Sequence, residues 1–447
     1  MLKRSFERTS VMDQLPPMRA AHIVIATVGS LGDLFPFLAM GRALRARGHR
    51  VTVATHAVHQ LPIEQAGLDF ADASGLPEPA DRAAFTALAF HRWKGPRFIV
   101  HDFAALDVHD SYAKLAPVCA DADLLITTTL AFAGQILGEQ LSGAGRLRWL
   151  SAVLAPAGFL SAFDPPPTGI AMLDAWVRRS PRRGRWLQRA AERVTRPWTS
   201  PVRALRRELG LPSQSPQGDP FHRGQHAPQG VLAMFSPLLG GAQPDWPSQV
   251  HLTGFARYAQ PAVLDPALVD FLDAGSPPLV FTLGSTAVHM GESFLRASLA
   301  AAVQLEQRAV LLTGSPQMRA RLPAELPSTI HAVDYAPHAA LFPHASVIIH
   351  HGGVGTSAEA LHAGKPMLVV PHGFDQPDNA ARLQRLGVAH VLPANHYRVD
   401  RAAALLRRLQ TGSFAVQGEV AARALRAIDG AAAAADRVEA ALANRPG

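Results

Sequence analysis

One cysteine stands in 447 residues, and that scarcity excludes more than any other count. A lone Cys119 supports neither a disulfide framework nor a multi-cysteine metal site, and it fits a reducing compartment, so a cytoplasmic protein is expected. Long apolar runs are missing as well. IVIATV at 23–28 is interrupted by Gly29, Ser30, Gly32 and Asp33, and no stretch reaches the roughly 18 uninterrupted residues of a spanning helix. The opening segment, 1–20, is charged and lacks the apolar core of about 7 to 15 residues that a signal peptide requires. It reads as a flexible leader, with Met12 and Met18 as alternative starts. With 48% hydrophobic residues the bulk is not disordered, and the length suits two or three domains or one large α/β domain.

Acidic residues are scarce in one place only. The chain carries 43 Lys and Arg against 35 Asp and Glu, yet Arg178 to Arg207 alone holds eleven Arg and a single acid, Glu192. Basicity is therefore local. Trp176, Trp186 and Trp198 lie in or beside this stretch, and Arg with Trp suits an anionic membrane surface, with Arg182, Arg183, Arg185 and Trp186 as the contact candidates. Two other readings of the same residues stay open: a nucleic-acid contact, and a solvated helix pair with Trp turned inward.

Two halves share one grammar. HIVIATV (22–28) suits a buried strand, GSLGDLFP turns, FLAMGRALRARG reads as a helix closed by Gly48, and HRVTVATH (49–56) is the next strand. LLITTT (124–129), RWLSAVLAP (148–156) and GVLAMFS (230–236) continue the series. The second half runs PLVFTLGST (278–286), RAVLLTG (308–314), TIHAVDY (329–335), SVIIHH (346–351), MLVVP (367–371) and AHVL (389–392). Strands alternating with helix-length spacers predict an α/β protein with a parallel sheet wrapped by helices in each half. The expected organisation is a first domain at 21–245, a Pro-rich linker at 246–277 and a second domain at 278–447 ending in an Ala-rich helix.

Ligands of open α/β sheets gather at the carboxyl ends of strands, so the turns there were ranked by chemistry. In HHGGVGTSAEALHAGKP (350–366) a strand runs into glycines and a helix starts near Thr356. Gly353 and Gly355 let backbone approach an anion, the helix dipole favours a phosphate, His351 adds a donor, and Glu359 can accept from ribose hydroxyls. LGST (283–286) brings the hydroxyls of Ser285 and Thr286. PHGFDQPDN (371–379) brings Asp375 and Gln376, a carboxylate beside an amide, as recognition of several sugar hydroxyls requires, with His372 next to them. The three turns read as diphosphate, ribose and sugar sites.

HGGVGTSAEALHAGKPMLVVPHGFDQPDNA resembles the donor-binding signature of family 1 glycosyltransferases of the GT-B fold, and GSLGDLFPFLAMGRALRARGH resembles their amino-terminal acceptor motif. Within that family, APQGVLAMFSPLLGGAQPDWPSQVHLTGFARY and FLDAGSPPLVFTLGST look like the rhamnosyltransferases that make bacterial mono-rhamnolipids. The resemblance implies two Rossmann-like, doubly wound domains facing across a cleft. It implies that Ser285, His351 and the amides around Gly353, Gly355 and Thr356 contact pyrophosphate, that Tyr335 stacks on the base where relatives often have Trp, and that His338 stands where many have Gln. Glu359 then matches the ribose ligand, and Asp375 with Gln376 the sugar pair.

Asp33 is the expected catalytic base. The resemblance implies this role for the GSxGD form of the first turn, with Ser30 beside it, and a carboxylate at that strand end can take the acceptor proton as its oxygen attacks the anomeric carbon. The rival reading of Asp33 is a helix cap. One direct displacement inverts the carbon and needs no second catalytic carboxylate. Asp121 and Asp123 spell a DxD but precede their strand, and His350 and His351 point to opposite faces, so no metal and no cofactor are expected.

The expected partners are a dTDP- or UDP-linked sugar and a lipophilic hydroxyl acceptor, without nucleic acid. Residues 75–115 and 158–200, rich in Phe and Trp, would line the acceptor side or simply pack the core. The leading expectation is rhamnosyl transfer from dTDP-rhamnose to a hydroxyacyl lipid, met at the inner membrane face. Its rival is glucosyl transfer from UDP-glucose to a sterol, polyketide or other small aglycone. Outside that class stand a sugar-nucleotide 2-epimerase and a silent sugar-nucleotide-binding helper.

Overall fold

The structure is a computed structural model that describes residues 19–76, 78–258, 263–284, 291–411 and 413–443. Each apolar run becomes a strand. β1 (His22–Ala26), β2 (Arg50–Thr55), β3 (Asp69–Asp72), β4 (Leu124–Thr127), β5 (Arg148–Val153), β6 (Val231–Ala233) and β7 (Val250–Leu252) make a seven-stranded sheet in the order β3-β2-β1-β4-β5-β6-β7. β8 (Leu279–Thr282), β9 (Ala309–Leu312), β10 (Ile330–Val333), β11 (Val347–His350), β12 (Met367–Val369) and β13 (Ala389–Val391) make a six-stranded one in the order β10-β9-β8-β11-β12-β13. The pairings are parallel; Ile23 lies between Val51 and Leu124, and Ile348 between Val280 and Met367. Helices cover both faces, which is why β1, β4, β8 and β11 are buried along their whole length.

Strand order reverses between β1 and β4 in the first sheet and between β8 and β11 in the second. Chains leaving these neighbours diverge to opposite faces and open a crevice at the strands' carboxyl ends. The turns after β1, β8 and β11 are the glycine turns of the sequence. At the other end of the sheet, Asp123 accepts the His22 N–H (2.9 Å) and Asp121 pairs with Arg50 (3.2 Å), so the DxD fastens strand starts away from the crevice.

Several segments join the two sheets. Residues 246–277, read as a linker, supply β7 to the first sheet and the helix Pro266–Asp273. The final helix, Gly430–Ala443, packs on the first domain rather than the second, to which its position in the chain had assigned it. Ala434, Ala435 and Val438 are buried in one cluster with Leu34, Leu38 and Ile23. Small Ala side chains let that backbone approach the helix Leu31–Ala46 closely, and Glu439 fixes the register through Arg47 and His49. Phe159, Phe235, Leu239 and Phe255 from the first half share a cluster with Leu341, Ala360 and Leu383 from the second.

Arg382 is the polar brace of this interface. Its guanidinium, 2% exposed, bonds Asp378 on its own helix (2.6 Å), Asp164 of the first domain and the Leu239 carbonyl (2.9 Å). Burying such a charge is tolerable only because every partner is supplied, and losing one side strands the other. Arg382→Ala is therefore expected to lower unfolding stability by about 3–5 kcal/mol in urea titration; a loss below about 1 kcal/mol, the level of a surface ion pair, would remove Arg382 as the brace.

Candidate active site

The site is built by two helix starts that meet. After β1 the chain turns at Gly29 and enters the helix Leu31–Ala46, with Ser30 at the N-cap and Asp33 in the first turn. After β11 it turns at Gly352 and enters the helix Val354–Ala363, with Gly353 at the N-cap and Gly355 and Thr356 in the first turn. A Cβ placed on Gly355 would lie 3.7 Å from the Gly32 carbonyl oxygen, so the two first turns touch across the cleft.

Asp33 Oδ2 accepts the Ser30 N–H (2.8 Å) and the Ser30 hydroxyl (3.0 Å), closing a capping box. Oδ1 takes no bond from the described residues and remains for a ligand. A Cβ on Gly29 would sit 2.4 Å from Oδ2, so only glycine leaves the carboxylate its place. Burial pushes the Asp33 carboxyl above its ordinary range, against the Ser30 hydrogen bonds and His59, which pull it down. His59, passed over in the sequence, follows β2 and donates through Nε2 to the Gly29 carbonyl (3.0 Å), pinning the turn that carries Asp33. The strand-end rule that ranked the other turns would have found it in HAVHQ, had it been applied after β2.

Asp375 faces Asp33 from the second domain. Burial pushes its carboxyl up to about 7, and the Asp33 charge adds to the rise. It starts the helix Gln376–Arg385 and accepts from Asn379 Nδ2 (2.7 Å), which also reaches the Gly352 carbonyl (3.0 Å). Asn379 thus ties the sugar-pair loop to the glycine turn; its spacing of four from Asp375 on a helix was the available signal. Gln376 is buried, and its Oε1 accepts the backbone N–H groups of His372 (2.9 Å) and Gly373 (3.2 Å), which leaves its NH2 to face a ligand. Phe374 holds a left-handed backbone (φ 58°), a conformation strained for any residue but glycine, and its ring packs edge-on to Phe90 of the first domain at 4.7 Å.

Four histidines gather behind the glycine turn. His351 is enclosed: a Cβ on Gly284 would lie 2.5 Å from its Cε1, and one on Gly353 would lie 2.4 Å from its Nε2. Burial holds its pKa well below the usual value, with His350, His372 and His338 adding like-charge pressure, and its Nδ1 has no partner among the described residues. His351 is therefore a neutral imidazole that donates one N–H. His350 accepts the Gly352 N–H (3.1 Å), and burial takes it down to about 3. His338 stacks on Phe342 (4.5 Å, 12°) and burial takes it down to about 4. Burial also lowers His372. Among the described residues, no three His, Cys, Asp or Glu side chains converge as metal ligands.

The remaining candidates divide. Tyr335 follows β10 and is exposed as a residue. Glu359 is paired with Arg257, whose Nε and Nη2 reach its two oxygens at 3.0 and 2.7 Å, so a ribose arriving there meets an ion pair rather than a lone carboxylate. Ser285 and Thr286 lie outside the described residues.

Residues 23–155 match the family described as Glycosyltransferase family 28 N-terminal domain, and residues 296–429 match Erythromycin biosynthesis protein CIII-like, C-terminal domain. The chain is similar to O-mycaminosyltylonolide 6-deoxyallosyltransferase of Streptomyces fradiae, with 32% identity over 385 residues, 82% of this chain and 84% of that protein. A sterol 3-beta-glucosyltransferase of Arabidopsis thaliana is 26% identical over 95% of this chain, which spans 65% of the plant protein. Among solved structures, the glycosyltransferase VinC in complex with dTDP superposes with a TM-score of 0.63 and 22% identity, over 94% of this chain and 99% of that one. One domain match falls on each sheet, and the identity to the Streptomyces enzyme runs through most of both chains, so this chain belongs to the glycosyltransferase family and carries its GT-B fold.

Proposed function

We propose that the chain is an inverting, metal-independent enzyme that transfers a hexosyl unit from a nucleotide diphosphate sugar to a hydroxyl of a lipophilic acceptor. The observation that carries this reading is Asp33, fixed through one carboxylate oxygen and free at the other, opposite Asp375 where two helix starts meet. The acceptor hydroxyl approaches Oδ1 and gives up its proton as its oxygen bonds the anomeric carbon. The bond from that carbon to the diphosphate oxygen breaks on the opposite face, the nucleoside diphosphate leaves, and Asp33 returns the proton to water. The two N-termini and the His351 N–H bear the charge that develops on the diphosphate. Asp375 and the Gln376 NH2 hold the sugar hydroxyls, Glu359 takes the ribose, and Tyr335 with His338 receives the base.

The donor read first is dTDP-rhamnose and the acceptor a hydroxyacyl lipid, on the strength of the rhamnosyltransferase-like stretches around 227–258 and 271–286. Acceptors of that kind sit at the anionic inner face of a membrane, and the reading includes a peripheral contact there. Glucosyl transfer from UDP-glucose to a sterol or other aglycone is the second reading, supported by the similarity to the plant sterol enzyme.

Thermal unfolding with dTDP, UDP, dTDP-rhamnose and UDP-glucose separates the two. A ligand at 100 times its dissociation constant stabilises by about 2.7 kcal/mol. Thymidine compounds alone should raise the transition; a shift confined to uridine compounds moves the glucosyl reading first, and no shift with any of the four refutes the donor site.

Asp33→Asn should keep donor binding and lose turnover by at least about 100-fold, the lower range of general-base contributions. Because the base works only when ionised and burial raises its pKa, the wild-type acid limb of kcat/KM should lie above the ordinary Asp value of about 3.9. Normal turnover of the variant would remove Asp33 as the base.

His351→Ala should weaken nucleoside diphosphate binding by about 1.5–3 kcal/mol, the range for a hydrogen bond to a charged group. Unchanged affinity in calorimetric titration would sink the phosphate role.

A further inference from the structure

Beside the cleft, the first domain displays apolar side chains that sugar transfer does not use. Met172 is 86% exposed, Trp93 72% and Trp186 59%. Side-chain contacts join Trp93 and Trp186 to the helix that carries Met172. The Arg92 guanidinium lies over Trp93 (4.9 Å) and reaches the Gly169 carbonyl (3.5 Å), which sets Trp93 beside the start of the helix Ala171–Val177. Trp176, on that helix, meets Trp186 edge to face at 5.7 Å. Trp186 belongs to the next helix, Pro181–Thr195, where Arg183 lies over Trp176 (5.0 Å) and Arg185 over Phe163 (5.4 Å). Of the three tryptophans of the basic stretch, only Trp198 packs inward, against the cluster of Val100, Val202 and Leu205.

Large apolar side chains in water rimmed by like charges mark an interaction surface. Charge chooses the occupant. Of the eleven Arg between 178 and 207, Arg206 is buried against Glu139; the other ten, with one acid among them, repel a basic partner and attract an anionic one, while Trp and Met favour the apolar boundary of a bilayer over the polar grooves of a nucleic acid. No helix among the described residues is long and apolar enough to cross a membrane, so the contact lies on the surface. The face also leads to the chemistry. Phe90, three residues before Trp93, packs on Phe374 and on His372 (6.3 Å), beside Asp375.

We propose that this face, with Trp93, Met172, Trp176 and Trp186 inserted at the headgroup level and Arg182, Arg183 and Arg185 on anionic headgroups, docks the enzyme on an anionic bilayer and draws the acceptor from it along the Phe90 edge into the cleft. This rests on the lipophilic-acceptor reading, and the test keeps the two apart. Co-sedimentation and tryptophan emission are measured on the full chain with vesicles of phosphatidylcholine alone and with 30% phosphatidylglycerol, the latter fraction set at about a third to give a strongly anionic surface. Binding is expected only to the anionic vesicles, with a blue shift of emission, and should weaken as salt rises. Arg182→Ala, Arg183→Ala and Arg185→Ala together should weaken binding about 100-fold, at roughly 1 kcal/mol for each charge. Trp93→Ser with Trp186→Ser should abolish most of the blue shift, while the thermal shift with nucleoside diphosphate stays as in the wild type.

Equal binding to both vesicles, no binding, or a wild-type blue shift in the double Trp variant would overturn the proposal. So would single-stranded RNA that displaces the protein from vesicles at equal charge. Vesicle binding as expected, with no turnover of any membrane-borne hydroxyacyl lipid, would support docking and reject the acceptor reading.

Discussion

The contact between Gly32 and Gly355 constrains everything around it. Each belongs to the first turn of a helix, where unsatisfied N–H groups sum to roughly half a positive charge. Bringing two such ends so near that a Cβ on Gly355 would lie 3.7 Å from the Gly32 carbonyl oxygen is unfavourable in an empty cleft and favourable once an anion lies between them. The rest of the interface reads as the means of keeping that approach: Arg382 clamped between Asp378 and Asp164, the final helix returning to the first domain, and Phe90 seated on Phe374. Two helix N-termini at one cleft favour an anion there before any side chain is considered.

The histidines fit the same constraint. Four imidazoles carrying charge at one strand end would repel each other and bind any anion without discrimination. Burial lowers all four, which favours their neutral forms over the charged ones. His351 has its position because Gly284 and Gly353 leave it room, one from each of the two strands flanking the switch point. A neutral donor held in a fixed cage needs no reorganisation as charge grows on the leaving group, which is where preorganisation helps most.

What the sequence made legible was set by the range of the forces involved. Buried strands such as β1 and β11 announce themselves because both faces need apolar side chains. β3, with DFAD, and β7, with VHL, escaped notice because an edge strand has one neighbour and is only partly buried, so composition carries no run. The glycine turns were legible for the same local reason: a backbone approach has a residue type. Partners were not. Arg382 reaches Asp164 across 218 residues, Arg257 reaches Glu359 across 102, and Asn379 reaches the Gly352 carbonyl across 27. Nothing in a local window distinguishes these side chains from any solvated Arg or Asn, since their role exists only after the sheets have met.

Asp33 shows how two local readings of one residue resolve in three dimensions. As a sequence feature it was either a helix cap or a base, and the two seemed to compete. The carboxylate has two oxygens: Oδ2 is bound by the Ser30 N–H and hydroxyl, while Oδ1 takes no bond from the described residues. Capping removes rotational freedom from the carboxylate, and the proposed base role requires a group fixed in that way. It also restrains the pKa. Burial raises it, while the Ser30 bonds and His59 pull it down, and the net shift is upward from a free aspartate. Asp375 lacks such a box; burial first, and then the Asp33 charge, raises it to about 7 against the one amide N–H it accepts. Asp33 and Asp375 thus both lie above the ordinary aspartate range, each raised by burial, and the Asp33 charge adds to the rise of Asp375.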